Sequence, residues 1–113
     1  MKISLKQQAT ERKNSEVCVV TKHDIEDATL DFAIVKINGR YPDQGRVTNT
    51  QCKEIVYVHQ GNGKVVVNHK EYQLNTGDAV LIEAGEKFFW EGSMNLFISC
   101  TPAFTIDQHQ QVD

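Results

Sequence analysis

The sequence contains no apolar run approaching membrane-spanning length, and its opening residues, Met1-Lys-Ile-Ser-Leu-Lys-Gln-Gln, carry no signal-peptide core. It has only three cysteines, Cys18, Cys52 and Cys100. They lie far apart, form no CxxC pair, and would leave one unpaired if two were bridged. These features exclude a disulfide scaffold and a membrane partner, and predict a reduced, cytoplasmic protein. No basic stripe is present. Twelve Lys and Arg against fifteen Asp and Glu give a net charge of −3, so no nucleic-acid partner is expected. Repeats, low-complexity tracts and linkers are missing as well. What remains is 113 residues with 40% hydrophobic and 24% charged content. That is ordinary globular usage, and predicts one domain able to bury a core without disulfides or a structural metal.

Glycine is confined to the middle, from Gly39 to Gly92. Within it, Glu54–Trp90 alternates short apolar runs with Gly and Asn turns, which reads as strands rather than helices. Gly61-Asn62-Gly63 predicts a hairpin turn. Reversals follow at Asn68-His69-Lys70 and at Asn75-Thr76-Gly77-Asp78, with Val65–Val67, Tyr72–Leu74 and Ala79–Ile82 as strands. The sum is an antiparallel meander, hence a barrel or sandwich. Outside it, Glu16–Thr21, Leu30–Ile37 and Leu96–Thr101 read as further strands. Ser4–Lys13 reads equally as a short helix or an extended arm, and Arg46–Cys52 is too polar for an ordinary core strand. Residues 1–29 are taken as an N-terminal arm and 105–113 as a polar tail. Arms of this kind predict pairing with something, a second copy in a homodimer being the natural partner.

Glu54 and Gly61, with Tyr57-Val58 between them, and then Gly77 and Gly85, resemble the two short motifs of the cupin superfamily. The resemblance covers roughly residues 30–104. It implies an all-β, antiparallel fold, a single-domain cupin-like double-stranded β-helix (jelly-roll barrel), with residues 1–113 as one domain and 30–104 as its body. It also implies that the usual paired histidines fall at Thr48 and Thr50, or at Val47 and Asn49. Neither pair is histidine. Glu83, Phe88 and Gly92 stand where the second motif has Pro, His and Asn. Only Glu54 of the usual four ligands is left, so no metal and no cofactor are expected. His59 and His69 lie at or near turns, and His23 and His109 lie outside the barrel body.

If Glu54 faces inward as the resemblance implies, strand alternation puts Cys52 and Thr50 on its side, with Val56 and Val58 deeper. Burial would then push its carboxyl into a useful acid–base range. A remnant Glu bonded to a neighbouring loop is the plainer reading. Cys52 is a nucleophile only if a cation lowers its pKa, and a small buried thiol is the better expectation. Phe88 and Trp90 share one face and Phe89 takes the other, which suits either a ring-bearing ligand or plain core packing. Tyr41, Arg46 and Asn49 enter the first motif and could line its mouth with Thr48, Arg46 offering a fork for a carboxylate or phosphate. The reading that follows is a metal-free barrel binding a small organic ligand, sugar-like or a small carboxylate. Two alternatives stand beside it: a metal-independent sugar isomerase or epimerase using Glu54, and a metal enzyme using Glu54, Cys52 and a histidine from elsewhere.

Overall fold

The computed structural model describes residues 1–113. Nine strands dominate it: β1 (Thr10–Ser15), β2 (Cys18–Lys22), β3 (Asp31–Tyr41), β4 (Val47–Asn49), β5 (Lys53–Val67), β6 (Lys70–Asn75), β7 (Ala79–Ile82), β8 (Lys87–Thr101) and β9 (His109–Gln111). Only two single turns of 3-10 helix, Lys6–Gln8 and Ile106–Gln108, interrupt them. No helix is long and apolar enough to cross a membrane. All pairings are antiparallel, and the sheet curls into a jelly-roll barrel.

Strand β8 is the hub. Along one edge it pairs with β3, from Asp31 opposite Cys100 to Tyr41 opposite Trp90. Along the other it pairs with β5, from Lys53 opposite Thr101 to Val67 opposite Phe88. Where β3 ends, β4 takes over that edge at Lys87 and Phe88, and β9 pairs outside β4. The even positions of β8 from Phe88 to Cys100 are buried, apart from Gly92. Phe88 and Cys100 nonetheless line one cavity. A straight strand of twelve steps at roughly 3.3 Å each would span about 40 Å. Two residues that far apart could not line one small cavity. Strand β8 therefore folds over on itself.

The fold-over is made by glycine. Gly39, Gly92 and Gly63 stand opposite one another on β3, β8 and β5. Gly39 and Gly92 have φ of +139° and +141°, a region side chains rarely adopt. A Cβ on Gly92 would sit 2.5 Å from the Gly63 Cα, and one on Gly63 would sit 2.5 Å from the Glu91 carbonyl oxygen. This row of close backbone approach is a barrel corner.

Several expectations are corrected here. Gly61-Asn62-Gly63 does not reverse the chain, because residues on both sides of it pair with the same strand β8. It bends a continuous strand, helped by a bulge between Val58 and Gln60 that moves the inward positions from even to odd numbers. The predicted meander is therefore absent, since β6 and β7 both return to β5. The reversal at Asn68–His69 and strand Ala79–Ile82 are found as expected, whereas the turn at Asn75–Asp78 carries β6 into β7 in the same direction along β5 and does not reverse the chain. The N-terminal segment, after its 3-10 turn, enters the sheet as β1 and β2, and the tail enters it as β9. The barrel thus extends past residues 30–104 at both ends. Of these, β1 and β9 are edge strands, whose polar composition suits a solvent-facing side.

The corner yields a test. Gly92→Ala forces a clash and a strained φ together, and should cost about 3 kcal/mol or more. Gly77 also has positive φ (+97°) but open space around it, so Gly77→Ala should cost only about 1–2 kcal/mol. Urea unfolding of both variants checks the order; equal losses would remove the corner from the account.

Candidate functional site

The two halves of β8 enclose a cavity of about 70 Å³. Glu54, Ile98 and Cys100 line one part of it; Phe88, Trp90, Tyr41, Asn49 and His109 line another. Strands β1 and β2 add Arg12, Asn14 and Lys22.

Glu54 is 7% exposed. Alternation on β5 turns it inward with Val56 and Val58, as the sequence predicts. Its one side-chain partner is the Cys100 thiol, with Sγ 3.9 Å from Oε2. No cation pairs with it. Burial therefore dominates and pushes its carboxyl up to about 7, against the smaller lowering effect of the thiol. The Cys100 thiol is raised far above its ordinary range by its hydrogen bond to Cys52, then by burial and the neighbouring carboxylate. The same hydrogen bond lowers the Cys52 thiol from its ordinary value, against the opposing effect of burial.

A second polar group lines the same cavity. His109 Nδ1 lies 2.7 Å from Asn49 Oδ1, and His109 Nε2 lies 2.8 Å from the Tyr41 hydroxyl. With Asn49 Oδ1 as acceptor, the imidazole proton sits on Nδ1, and Tyr41 donates to Nε2. Burial, and then the Arg12 charge, hold the His109 pKa below its usual value. Burial pushes the Tyr41 phenol up to about 12. The pair is thus a neutral imidazole and a neutral phenol. Phe88 and Trp90 meet edge to face, with centroids 6.1 Å apart at 77°.

Of the residues singled out in the sequence, the cavity brings together Glu54, Tyr41, Asn49, Phe88 and Trp90. Thr48, Thr50, Cys52 and Arg46 stand off its lining. Thr48 is buried, with no partner for its hydroxyl, and Thr50 is exposed. Cys52 is 1% exposed, and its backbone N–H donates to Gln108 Oε1 at 2.7 Å. Arg46 points at the chain end instead, bonding Asp113 through Nε at 2.9 Å and also through Nη2. Sequence reasoning missed Arg12, Lys22 and Asp31, and it placed His109 outside the barrel. Only the period-two spacing of Arg12 and Asn14 hinted at a shared face. No three His, Cys, Asp or Glu side chains are grouped to hold an ion. With Phe88 in the wall and the threonines turned away, the donor set does not fit a metal, including one built on Glu54 and Cys52.

A family model described as "Cupin domain" matches residues 35–92, just over half of the chain. The chain belongs to the cupin family. No curated protein sequence matches it. Among solved structures it is similar to Pac13 of Streptomyces, described as a nucleoside dehydratase, with TM-score 0.88 at 16% identity, covering 99% of this chain and 91% of that one. Variants of Pac13 are seen with uridine. It is similar to KdgF from a Halomonas species, TM-score 0.71 at 17% identity over 95% and 97%. It also resembles oxalate decarboxylase from Bacillus subtilis, TM-score 0.82 at 12% identity, covering 99% of this chain and 32% of that one. At these identities the likeness is one of fold.

The Glu54 environment has a consequence for stability. Between the ordinary carboxylate value of 4.5 and about 7, folded Glu54 keeps a proton that the unfolded chain has released. This group's contribution is therefore full below that window and is lost as pH rises through it, by on the order of 3 kcal/mol. His109 acts with the opposite sign, since its lowered pKa disfavours the folded state as pH falls. Glu54→Gln should melt higher than the parent at about pH 8 and show a flatter decline from about pH 5 to 8. A variant that melts lower at the higher pH would show that Glu54 is stabilised by a partner instead.

Proposed function

We propose that this cupin holds a small hydroxylated, sugar-like ligand in its cavity and performs proton-transfer chemistry on it without a metal. Glu54 is the proton carrier. A carboxyl near neutrality can give a proton and take one back at similar cost, which is what general acid–base catalysis needs. Tyr41 has a different part. Its O–H is spent on His109, so its oxygen lone pairs are left to accept from a ligand hydroxyl. Asn49 fixes the imidazole, and the imidazole fixes the phenol. The gap between a phenol near 12 and an imidazole below its usual value keeps this chain an orienting device rather than a source of protons. Phe88 and Trp90 offer flat apolar surface to a ring.

The observation that carries the reading is the placement of Glu54 and the Tyr41–His109–Asn49 chain on one cavity. Support also comes from Pac13, a nucleoside dehydratase of the same fold that is seen with uridine, whose ribose is a hydroxylated ring.

The test uses ligands, then deuterium. A panel of nucleosides and reducing sugars is screened by thermal shift, and binders are incubated with the protein in D₂O. Carbon-bound ligand protons should exchange, as followed by NMR. Glu54→Gln should keep binding but slow exchange by about a hundred-fold or more. Tyr41→Phe should mainly weaken binding. Exchange that survives Glu54→Gln would leave a binding protein without this chemistry, and a panel with no binder would remove the ligand site altogether.

A further inference from the structure

The cavity wall carries four charged side chains, Arg12, Lys22, Asp31 and Glu54. Lys22 and Asp31 form an ion pair and cancel. Arg12 has no carboxylate partner. Its Nε donates to Asn14 Oδ1 at 3.0 Å, which sets the plane of the guanidinium. Its two Nη groups meet no protein acceptor. The chain has three arginines, and the other two are engaged. Arg46 grips Asp113 with both sides of its fork. Arg40 donates to the carbonyls of Pro42 and Gly45 and lies 3.8 Å over the Phe89 ring.

Arg12 is half-buried on β1 and lies 5.5 Å from the centre of the Phe104 ring, which Lys22 approaches at 5.6 Å. The ring lies beside the guanidinium at the cavity wall while the fork stays open. A partly desolvated guanidinium with an empty fork is the feature of the cavity that an uncharged sugar leaves unmatched. Its charge is felt inside, since it helps hold down the His109 pKa.

We infer that the ligand carries an anionic group, a carboxylate or a phosphate, and that Arg12 receives it through its two Nη groups. This rests on the reading of the cavity as a ligand site. It transfers to Arg12 the anion-binding part that the sequence offered to Arg46. The ligand class narrows from sugars to sugar acids and sugar phosphates. The anion sits at Arg12, and the hydroxylated part reaches Tyr41 and Glu54.

Isothermal titration calorimetry on the full chain compares D-glucuronate, D-glucose 6-phosphate and D-glucose. At least one charged sugar should bind roughly ten-fold or more tighter than glucose. The better of the two tells carboxylate from phosphate. Arg12→Gln should erase the margin. Arg12→Lys, which keeps the charge and loses the fork, should retain part of it, and its melting temperature reports whether the site still folds. Glucose binding as well as both charged sugars, or a margin that survives Arg12→Gln, overturns the assignment to Arg12 while leaving the ligand site in place. If none of the three binds, the anion proposal falls, and the nucleoside and sugar panel decides separately whether the cavity takes a ligand.

Discussion

The structure depends on one close approach between backbones. Gly39, Gly92 and Gly63 lie in register across three adjacent strands, and at the Gly92–Gly63 contact no side chain can stand between them. Here the long strands β3, β5 and β8 turn over without breaking their ladders. Each then serves both walls of the barrel. A fifteen-residue strand with period-two alternation would otherwise present a flat face. Folded at its glycine, β8 turns Phe88 and Trp90 towards the same interior as Ile98 and Cys100.

That enclosure decides the electrostatics. Glu54 has a thiol beside it and no cation, so desolvation outweighs the only favourable contact. The cavity's positive charge lies elsewhere, on Arg12, whose influence falls on His109 and Tyr41. Placed against Glu54, the guanidinium would have lowered the carboxyl's pKa and fixed it as an ordinary ion pair. Separation keeps one group able to gain or lose a proton near neutral pH and the other free for an anion. The C-terminal segment completes the arrangement. Gln108 is 2% exposed and its side-chain oxygen accepts from the Gln51 and Cys52 amides, which seats β9 and brings His109 into the wall.

Much of the barrel was legible in the sequence because its information is local. Alternation alone put Glu54, Val56 and Val58 on one side and separated Phe89 from Phe88 and Trp90. The Asn75–Asp78 turn announces itself through its Asn, Gly and Asp, with Asp78 Oδ2 reaching back to accept from the Asn75 N–H at 2.6 Å. Gly61-Asn62-Gly63 misled because glycine marks a departure from ordinary backbone without saying which one. A hairpin and a corner use the same residues, and the choice lies in Gly92, about thirty positions away. Strands β1 and β9 were hidden for a related reason. An edge strand with polar side chains looks like an arm until its partner is known. Arg46 and Arg12 could not be told apart either, since Asp113 reaches one and only Asn14 the other. Their difference is tertiary.

The central claim is that Glu54 is a buried acid with no cation beside it, and its own titration tests that most directly. Carbon-13 NMR of the Glu54 side-chain carboxyl, assigned with Glu54→Gln, follows ionisation in the ligand-free protein. The account predicts a midpoint near 7, well above the ordinary value of 4.5. A midpoint in the ordinary carboxylate range would show a hydrated or ion-paired group, and would contradict the proposed chemistry at its root.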